Sequence, residues 1–367
     1  MTKIVTTIGP SSFNPETLEF FKNHRVAISR LNFSHGTAEK HIEMGLTCRK
    51  YGFELMVDTA GPKVLLATLS PTTVEKNQNV AFEFSDSSKT YPYQEIVEGV
   101  DTTILPCQFH MDQFVMPNMT ILIDDGKLSL VSTTIENKRV YATVTFGGLI
   151  KPNKGVNLPG TAVNIPFLVD RDIELITACL PALLPEWIAP SFVKNVEEIN
   201  ELNAFIDDIC AKNNLGDYRP KICTKIEMAE AIDNFDEILA VSDMIMIARG
   251  DLAVEMTPIN ISTPFMQDMI AEKCTLAGKP FIVATQILES MMESPVPTRA
   301  EVSDLYRAVK YNKANYVMLS GETAAGQFPT GCVKLMDNMI AMIEGKSNTE
   351  NLNLKTASSN NILIEQI

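Results

Sequence analysis

The sequence predicts a TIM (β/α)8 barrel with a small all-β domain inserted after strand three. Three observations carry this. Short apolar runs alternate eight times with helical runs, the pattern of a parallel sheet wound by helices. Between residues 63 and 159 the pattern changes to short alternating runs separated by turn signals, such as Asp124-Asp125-Gly126 and Gly147-Gly148. The unusual polar clusters fall where the apolar runs end, and in a TIM barrel the strand C-termini line the reactive mouth.

In chain order, the first strand is Ile4 to Ile8, closed by Gly9-Pro10-Ser11-Ser12, and a helix follows from about Pro15. The second strand, Val26 to Leu31, runs into Asn32-Phe33-Ser34-His35-Gly36. A helix over about 38–51 leads to the third, Glu54 to Val57, ending in Asp58-Thr59. The alternation resumes after Gly160. A helix from about Asp170 to Cys179 precedes strand four, Trp187 to Ala189, which ends in Pro190-Ser191-Phe192. Strands five and six are Ile222-Cys223, leading into Lys225-Ile226-Glu227, and Met244 to Ala248, leading into Arg249-Gly250-Asp251. One helical run lies between them, with Ile232, Phe235, Ile238 and Leu239 apolar. A helix capped at Thr263-Pro264 carries Phe265, Met269, Ile270 and Leu276 as its apolar positions. Strand seven, Pro280 to Ala284, ends in Thr285-Gln286; strand eight, Tyr316 to Leu319, ends in Ser320-Gly321-Glu322. The expected domains are 1–62 and 160–344 for the barrel, 63–159 for the insert, and a loosely ordered Asn-, Ser- and Lys-rich tail over 345–367.

Composition narrows the partners. Of 367 residues, 45% are hydrophobic and 21% charged, as in an ordinary globular chain. A net charge of −14 argues against nucleic acid or an anionic membrane as a bulk partner, so an anionic ligand needs a local basic pocket. The seven cysteines contain no CxxC pair and sit largely in apolar runs, which reads as reduced thiols in a cytoplasmic protein. No signal peptide and no membrane-spanning run is expected.

A single charge at a strand end is ordinarily a solvated loop residue. Two adjacent strand ends that offer a lysine and two carboxylates (Lys225, Glu227, Asp251) point instead to a divalent metal and an anionic substrate. The wider set is Arg30-Asn32-Ser34, Asp58-Thr59, Lys225-Glu227, Asp251, Thr285 and Ser320-Glu322.

From residue 2 to about residue 344 the chain resembles the pyruvate kinases. The ordered blocks TKIVTTIGPSS, SRLNFSHG, DTAGPK, IDDGKLSL, NKGVNLPG, KIEMAEAIDNFDEIL, MIARGDLAVE, FIVATQILESM, PTRAEVSD and VMLSGETAAG carry the resemblance. It implies transfer of a phosphoryl group from phosphoenolpyruvate to ADP, giving pyruvate and ATP, with Mg²⁺ or Mn²⁺. By the same resemblance Glu227 and Asp251 hold the metal, and Lys225 and Arg30 serve the moving phosphoryl group. Gly250, Asp251 and Thr285 receive the substrate carboxylate, and Pro10, Arg30, His35 and Lys154 face the nucleotide. Asn32, Ser34, Asp58 and Thr59 match a monovalent-cation site. Thr285, with Ser320 and Glu322 behind it, is the expected proton route to the enolate.

The departures bear on these roles. Lys63 stands where the family commonly has a glutamate, the exchange found in members that do not need potassium, so K⁺ is not expected to be required. Ala60 replaces a lysine, and Leu65 an arginine expected on nucleotide phosphates. Ala253, Met228, Tyr306-Arg307 and Lys313-Ala314-Asn315 depart as well. The family's C-terminal effector domain has no counterpart in the sequence, so a homodimer without effector control is expected. Two further readings stay open: a diverged phosphotransferase handling enolpyruvate or 2-oxo acids with another acceptor, and a non-catalytic relative.

Overall fold

The computed structural model describes residues 1–68, 70–85, 91–152, 154–161, 165–256 and 258–345. Eight parallel strands close a barrel: β1 Lys3–Thr7, β2 Val26–Asn32, β3 Glu54–Asp58, β4 Trp187–Ala189, β5 Lys221–Ile226, β6 Met244–Ala248, β7 Phe281–Ala284 and β8 Tyr316–Leu319. Each strand pairs with its successor, and β8 returns to β1 in the register Ile4↔Val317 and Val5↔Met318.

Strand alternation fills the barrel. Every strand sends at least one side chain into the inner cluster: Val5, Ile28, Met56, Trp187 with Ala189, Cys223, Met244 with Met246, Ile282 with Ala284, and Met318. In β6 the intervening Ile245 and Ile247 are equally buried, which accounts for an unbroken apolar run rather than an alternating one. Burying such side chains stabilises by roughly 1.5–3 kcal/mol each, which lets the mouth above them carry charge.

The helices start where side chains can satisfy free N–H groups. Asn14 accepts from the Thr17 amide and Asn195 from that of Glu198, while Thr298 and Glu301 form a reciprocal capping box. Two expectations need correction. The run between β5 and β6 is two short helices, Ala229–Asp233 and Phe235–Val241, because Asn234 leaves helical geometry and donates its side-chain amide to the Lys194 carbonyl. In helix Thr263–Leu276 the buried stripe is Gln267, Ile270, Ala271 and Cys274, whereas Phe265 and Leu276 are 68% and 80% exposed. Gln267 takes a core position because it bonds both Arg249 and Asn312.

The chain divides into two compact units. One comprises 1–61, 167–249 and 264 onward; the other comprises Pro62–Pro166 together with Gly250–Thr263. In the second unit a seven-stranded sheet runs in the order Val156–Asn157, Thr120–Ile123, Leu128–Glu136, Arg139–Phe146, Asn79–Phe84, Val100–Cys107, Tyr93–Val97. A two-stranded sheet, Thr72–Val74 with Gly148–Ile150, accompanies it. Its core includes Val80, Phe82, Leu105, Ile121, Leu130 and Val140. The expected loose tail falls, beyond Gly345, outside the described residues.

Candidate active site

At the C-terminal end of the barrel strands, four ionic side chains share one buried network. Arg30, from the end of β2, donates through Nε to Asp58 Oδ2 at 2.6 Å and through Nη1 to Thr7 Oγ1 at 2.9 Å. The other oxygen of Asp58, at the end of β3, lies 3.1 Å from Lys225 Nζ. Lys225, near the end of β5, also donates to Ser191 Oγ at 2.6 Å and lies 3.1 Å from Glu227 Oε1. The second Glu227 oxygen accepts the Phe192 amide at 2.7 Å.

The electrostatics follow from that geometry. Burial works to raise the Asp58 pKa, but the Arg30 and Lys225 charges overcome it and hold the carboxyl below its ordinary value. Burial likewise works to lower that of Lys225, yet Asp58 and then Glu227 raise it, so the ammonium stays charged. The result is a fixed cation in a dry setting with carboxylates beside it.

Around β6 and β7 the arrangement is different. Arg249 turns its guanidinium to Asp304 at 2.6 Å, to Gln267, and to the carbonyls of Ala284 and Thr285. The Thr285 carbonyl, 2.6 Å away, belongs to a β-branched residue at φ +67°, a conformation that persists only when neighbours hold it. Gln286 follows at φ +53°. Glu322 accepts the amides of Leu288 (3.1 Å) and Ser320 (2.7 Å), tying the β7 and β8 loops together, and burial pushes its pKa up. The buried Ser320 Oγ has no hydrogen-bond partner among the described residues.

Asn32 caps its own turn by accepting the Ser34 amide at 3.1 Å, and Ser34, His35 and Pro10 lie on exposed loops. Thr59 Oγ1 accepts the Ser191 amide at 2.9 Å.

The second unit holds its own ion pairs. Lys63 Nζ lies 2.7 Å from Asp251 Oδ1 and 3.8 Å from Asp125. Lys154 Nζ lies 2.7 Å from Asp124 Oδ1. Burial works to raise the Asp124 pKa, but Lys154 and Lys127 hold it below its ordinary value. Among the described residues no group of three or more His, Cys, Asp or Glu is gathered as a metal cluster.

The closed barrel with its inserted sheet fits what similarity to known proteins gives. The family model "Pyruvate kinase, barrel domain" matches residues 1–333. The chain belongs to the pyruvate kinase family. It is 37% identical over 351 residues to a pyruvate kinase of Sporosarcina psychrophila, covering 94% of this chain and 57% of that one. It is 37% identical over 356 residues to one of Methylorubrum extorquens, covering 94% and 68%. A crystal structure of a pyruvate kinase from Cryptosporidium parvum superposes with a TM-score of 0.82 at 33% identity, covering 95% of this chain and 70% of the other. The chain thus spans 57% of the length of the first of these relatives.

In the barrel unit the structure joins Arg30, Asp58, Thr59, Lys225 and Glu227; in the second unit it joins Lys63 to Asp251 and Lys154 to Asp124. Sequence reasoning assigned no role to Ser191 and Thr7. Ser191 had a signal, since Pro190-Ser191-Phe192 ends a strand; Thr7 had none. Among the described residues no helix is long and apolar enough to cross a membrane.

Proposed function

We propose that the chain transfers the phosphoryl group of phosphoenolpyruvate to ADP, releasing pyruvate. The observation that supports this most is Lys225: an ammonium whose charge Asp58 and Glu227 favour, 8% exposed, with Asp58, Ser191 and Glu227 around it. Phosphoryl transfer asks the protein mainly for position and for positive charge near the moving oxygens. Lys225 and Arg30 meet that demand without reorganising, because Asp58 already holds both.

The carboxylate oxygens fit a hard divalent cation such as Mg²⁺ or Mn²⁺. Glu227 supplies one, with an oxygen now facing a lysine cation; Asp251 is the second that the family resemblance implies. A bound metal supplies charge neutralisation. Gly250 and Asp251 lie in the first turn of the helix Arg249–Glu255, and the family resemblance implies that these two and Thr285 receive the substrate carboxylate. Thr285, held by Arg249 at its carbonyl, would face the enolate, with Ser320 and Glu322 behind it for the proton. Pro10, His35 and Lys154 are the nucleotide-side residues of this reading, and Asn32, Ser34, Asp58 and Thr59 its cation-side residues.

Purified protein given phosphoenolpyruvate, ADP and Mg²⁺ should release pyruvate and ATP, and Lys225→Met should cut turnover by about a hundredfold or more. Absence of pyruvate from the unaltered chain, or near-normal turnover in the variant, would overturn the assignment. One observation favours a second acceptor instead: Leu65 offers no charge, and Lys154 is engaged by Asp124. Pyruvate release without ADP would select that reading.

A further inference from the structure

The first turn of the helix Asp170–Leu183 carries two adjacent residues whose side chains are spent on neighbouring loops. Arg171 donates through Nε to the Phe33 carbonyl at 2.6 Å and through Nη2 to the Gly36 carbonyl at 2.9 Å, grasping the loop after β2. Asp172 accepts the Ala60 amide on Oδ1 at 2.7 Å and the Gly61 amide on Oδ2 at 2.8 Å, grasping the loop after β3. Asp172 is almost wholly buried and both its oxygens are used this way. Those loops carry Ser34 and Thr59 and follow directly on Asn32 and Asp58 at the strand ends, and the two strand ends are already neighbours, since the Phe33 amide donates to the Asp58 carbonyl at 2.8 Å.

The grip reaches the charged network through Gly61. At φ +68° a Cβ at this position would lie 2.7 Å from the Phe192 ring and 2.8 Å from Ser191 Cβ, so the Asp172 carboxylate presses bare backbone against the β4 loop. Ser191 then hands its hydroxyl to the Thr59 carbonyl at 2.6 Å and accepts from Lys225 at 2.6 Å. A buried carboxylate that accepts two backbone amides and no cation among its hydrogen bonds is costly to ionise, and burial indeed raises its pKa. A chain that needed only a helix start could have used an exposed Ser or Asp cap at less cost.

We propose that Arg171 and Asp172 form a positioning clamp that sets Asp58, Thr59 and Ser191, and through them Lys225, for phosphoryl transfer. The proposal rests on the phosphotransferase reading above. The clamp touches no substrate; it fixes the loops whose side chains meet the reacting groups.

The test combines site-resolved amide exchange with steady-state kinetics on the full chain. Asp172→Asn keeps the shape but turns an NH₂ group toward one of the two amides. Exchange at Ala60 and Gly61 should quicken by about tenfold or more. Exchange in the strands β5 and β6 should stay as it was. Turnover should fall by about tenfold to a hundredfold while KM for phosphoenolpyruvate moves much less, since a displaced group costs rate rather than substrate binding. Arg171→Met, on the exposed side of the clamp, should quicken exchange over 33–36 and not over 60–61, and it carries the test should Asp172→Asn fail to fold. Unchanged exchange at 60–61, a uniform quickening throughout the barrel, or a loosened loop with unaltered turnover would each overturn the clamp. If the unaltered chain turns over nothing, the phosphotransferase reading fails, and the two exchange patterns still decide whether the clamp exists.

Discussion

One charged network in the barrel and one ion pair in the second unit meet water differently. In the barrel, Arg30, Asp58, Lys225 and Glu227 are withdrawn from water, and the Asp58 side chain is 0% exposed. In the second unit, the paired Lys63 and Asp251 side chains remain 25% and 19% exposed. Water near the second pair screens it and solvates either partner left alone, so such a pair contributes about 0–1 kcal/mol. The barrel set has no such refuge. Removing one member strands its partners in low dielectric, at a cost of about 3–5 kcal/mol. A network this expensive to break is weak evidence for stability and better evidence for pre-arranged charge.

The largest effect should come from Asp58→Asn, which leaves Arg30 buried beside a neutral neighbour and Lys225 with Glu227 as its remaining carboxylate. The barrel should lose about 3–5 kcal/mol at pH 7. The only tryptophan, Trp187, is buried in β4, so its fluorescence during urea unfolding reports the barrel alone. The pH dependence has a defined sign. Asp58 is held below its ordinary 3.8, so its contribution is complete above that value and is lost as pH falls through the lower folded one. Lys225 is held above its ordinary 10.5, so its contribution is complete below that value and is lost as pH rises through the higher folded one. The variant should therefore flatten the steep acid limb below 3.8. A loss under 1 kcal/mol with an unchanged acid limb would mean that the network is solvated.

The barrel was legible because each strand announces itself twice, by an apolar run and by the polar cluster that ends it. Asp58-Thr59 and Lys225-Glu227 could be placed at one mouth without coordinates. The insert was legible through its turns, such as 124–126. What escaped depends on contacts remote in sequence. Nothing local marks Gly250–Thr263 as belonging with Pro62–Pro166. An acid in a first helical turn reads as ordinary dipole chemistry, so the hold of Asp172 on Ala60 and Gly61, more than a hundred residues away, left no trace. Phe265 and Leu276 mislead because apolar residues on a helix need not share its buried stripe. The role of Arg249 in fixing the Thr285 carbonyl is likewise invisible in the run Arg249-Gly250-Asp251.

A smaller effect concerns the second unit's cation supply for a nucleotide. The half-buried Leu65 is held by its backbone, bridging to Gly155 and accepting the Gln108 amide at 3.0 Å, so its side chain can change without removing those backbone contacts. Each charge-assisted contact to phosphate is worth roughly 1.5–3 kcal/mol. ADP should bind the unaltered chain weakly, and Leu65→Arg should tighten it by about tenfold to a hundredfold by calorimetry. Tight binding without the substitution would show that Leu65 costs the chain nothing.

The smallest expected change tests the exposed side of the comparison. Lys63 spreads one ammonium over Asp251 and, at longer range, Asp125, and its stem packs where a Cβ on Gly155 would lie 2.4 Å from Lys63 Cε. Lys63→Gln keeps most of that stem and removes the charge. Because the pair is partly hydrated, the second unit should lose less than about 1 kcal/mol, and less still at high salt, as followed by amide exchange over 120–146. The functional consequence should outweigh the structural one. With the ammonium present, turnover should be alike in potassium, sodium or tetramethylammonium buffer; without it, potassium should activate, because a mobile cation then supplies the missing positive charge. Strong potassium activation of the unaltered chain would show that the Lys63 charge is spent on Asp251 alone. A stability loss of several kcal/mol in Lys63→Gln would instead place this pair in the same class as Asp58 and Lys225, and the contrast between the two units would fail.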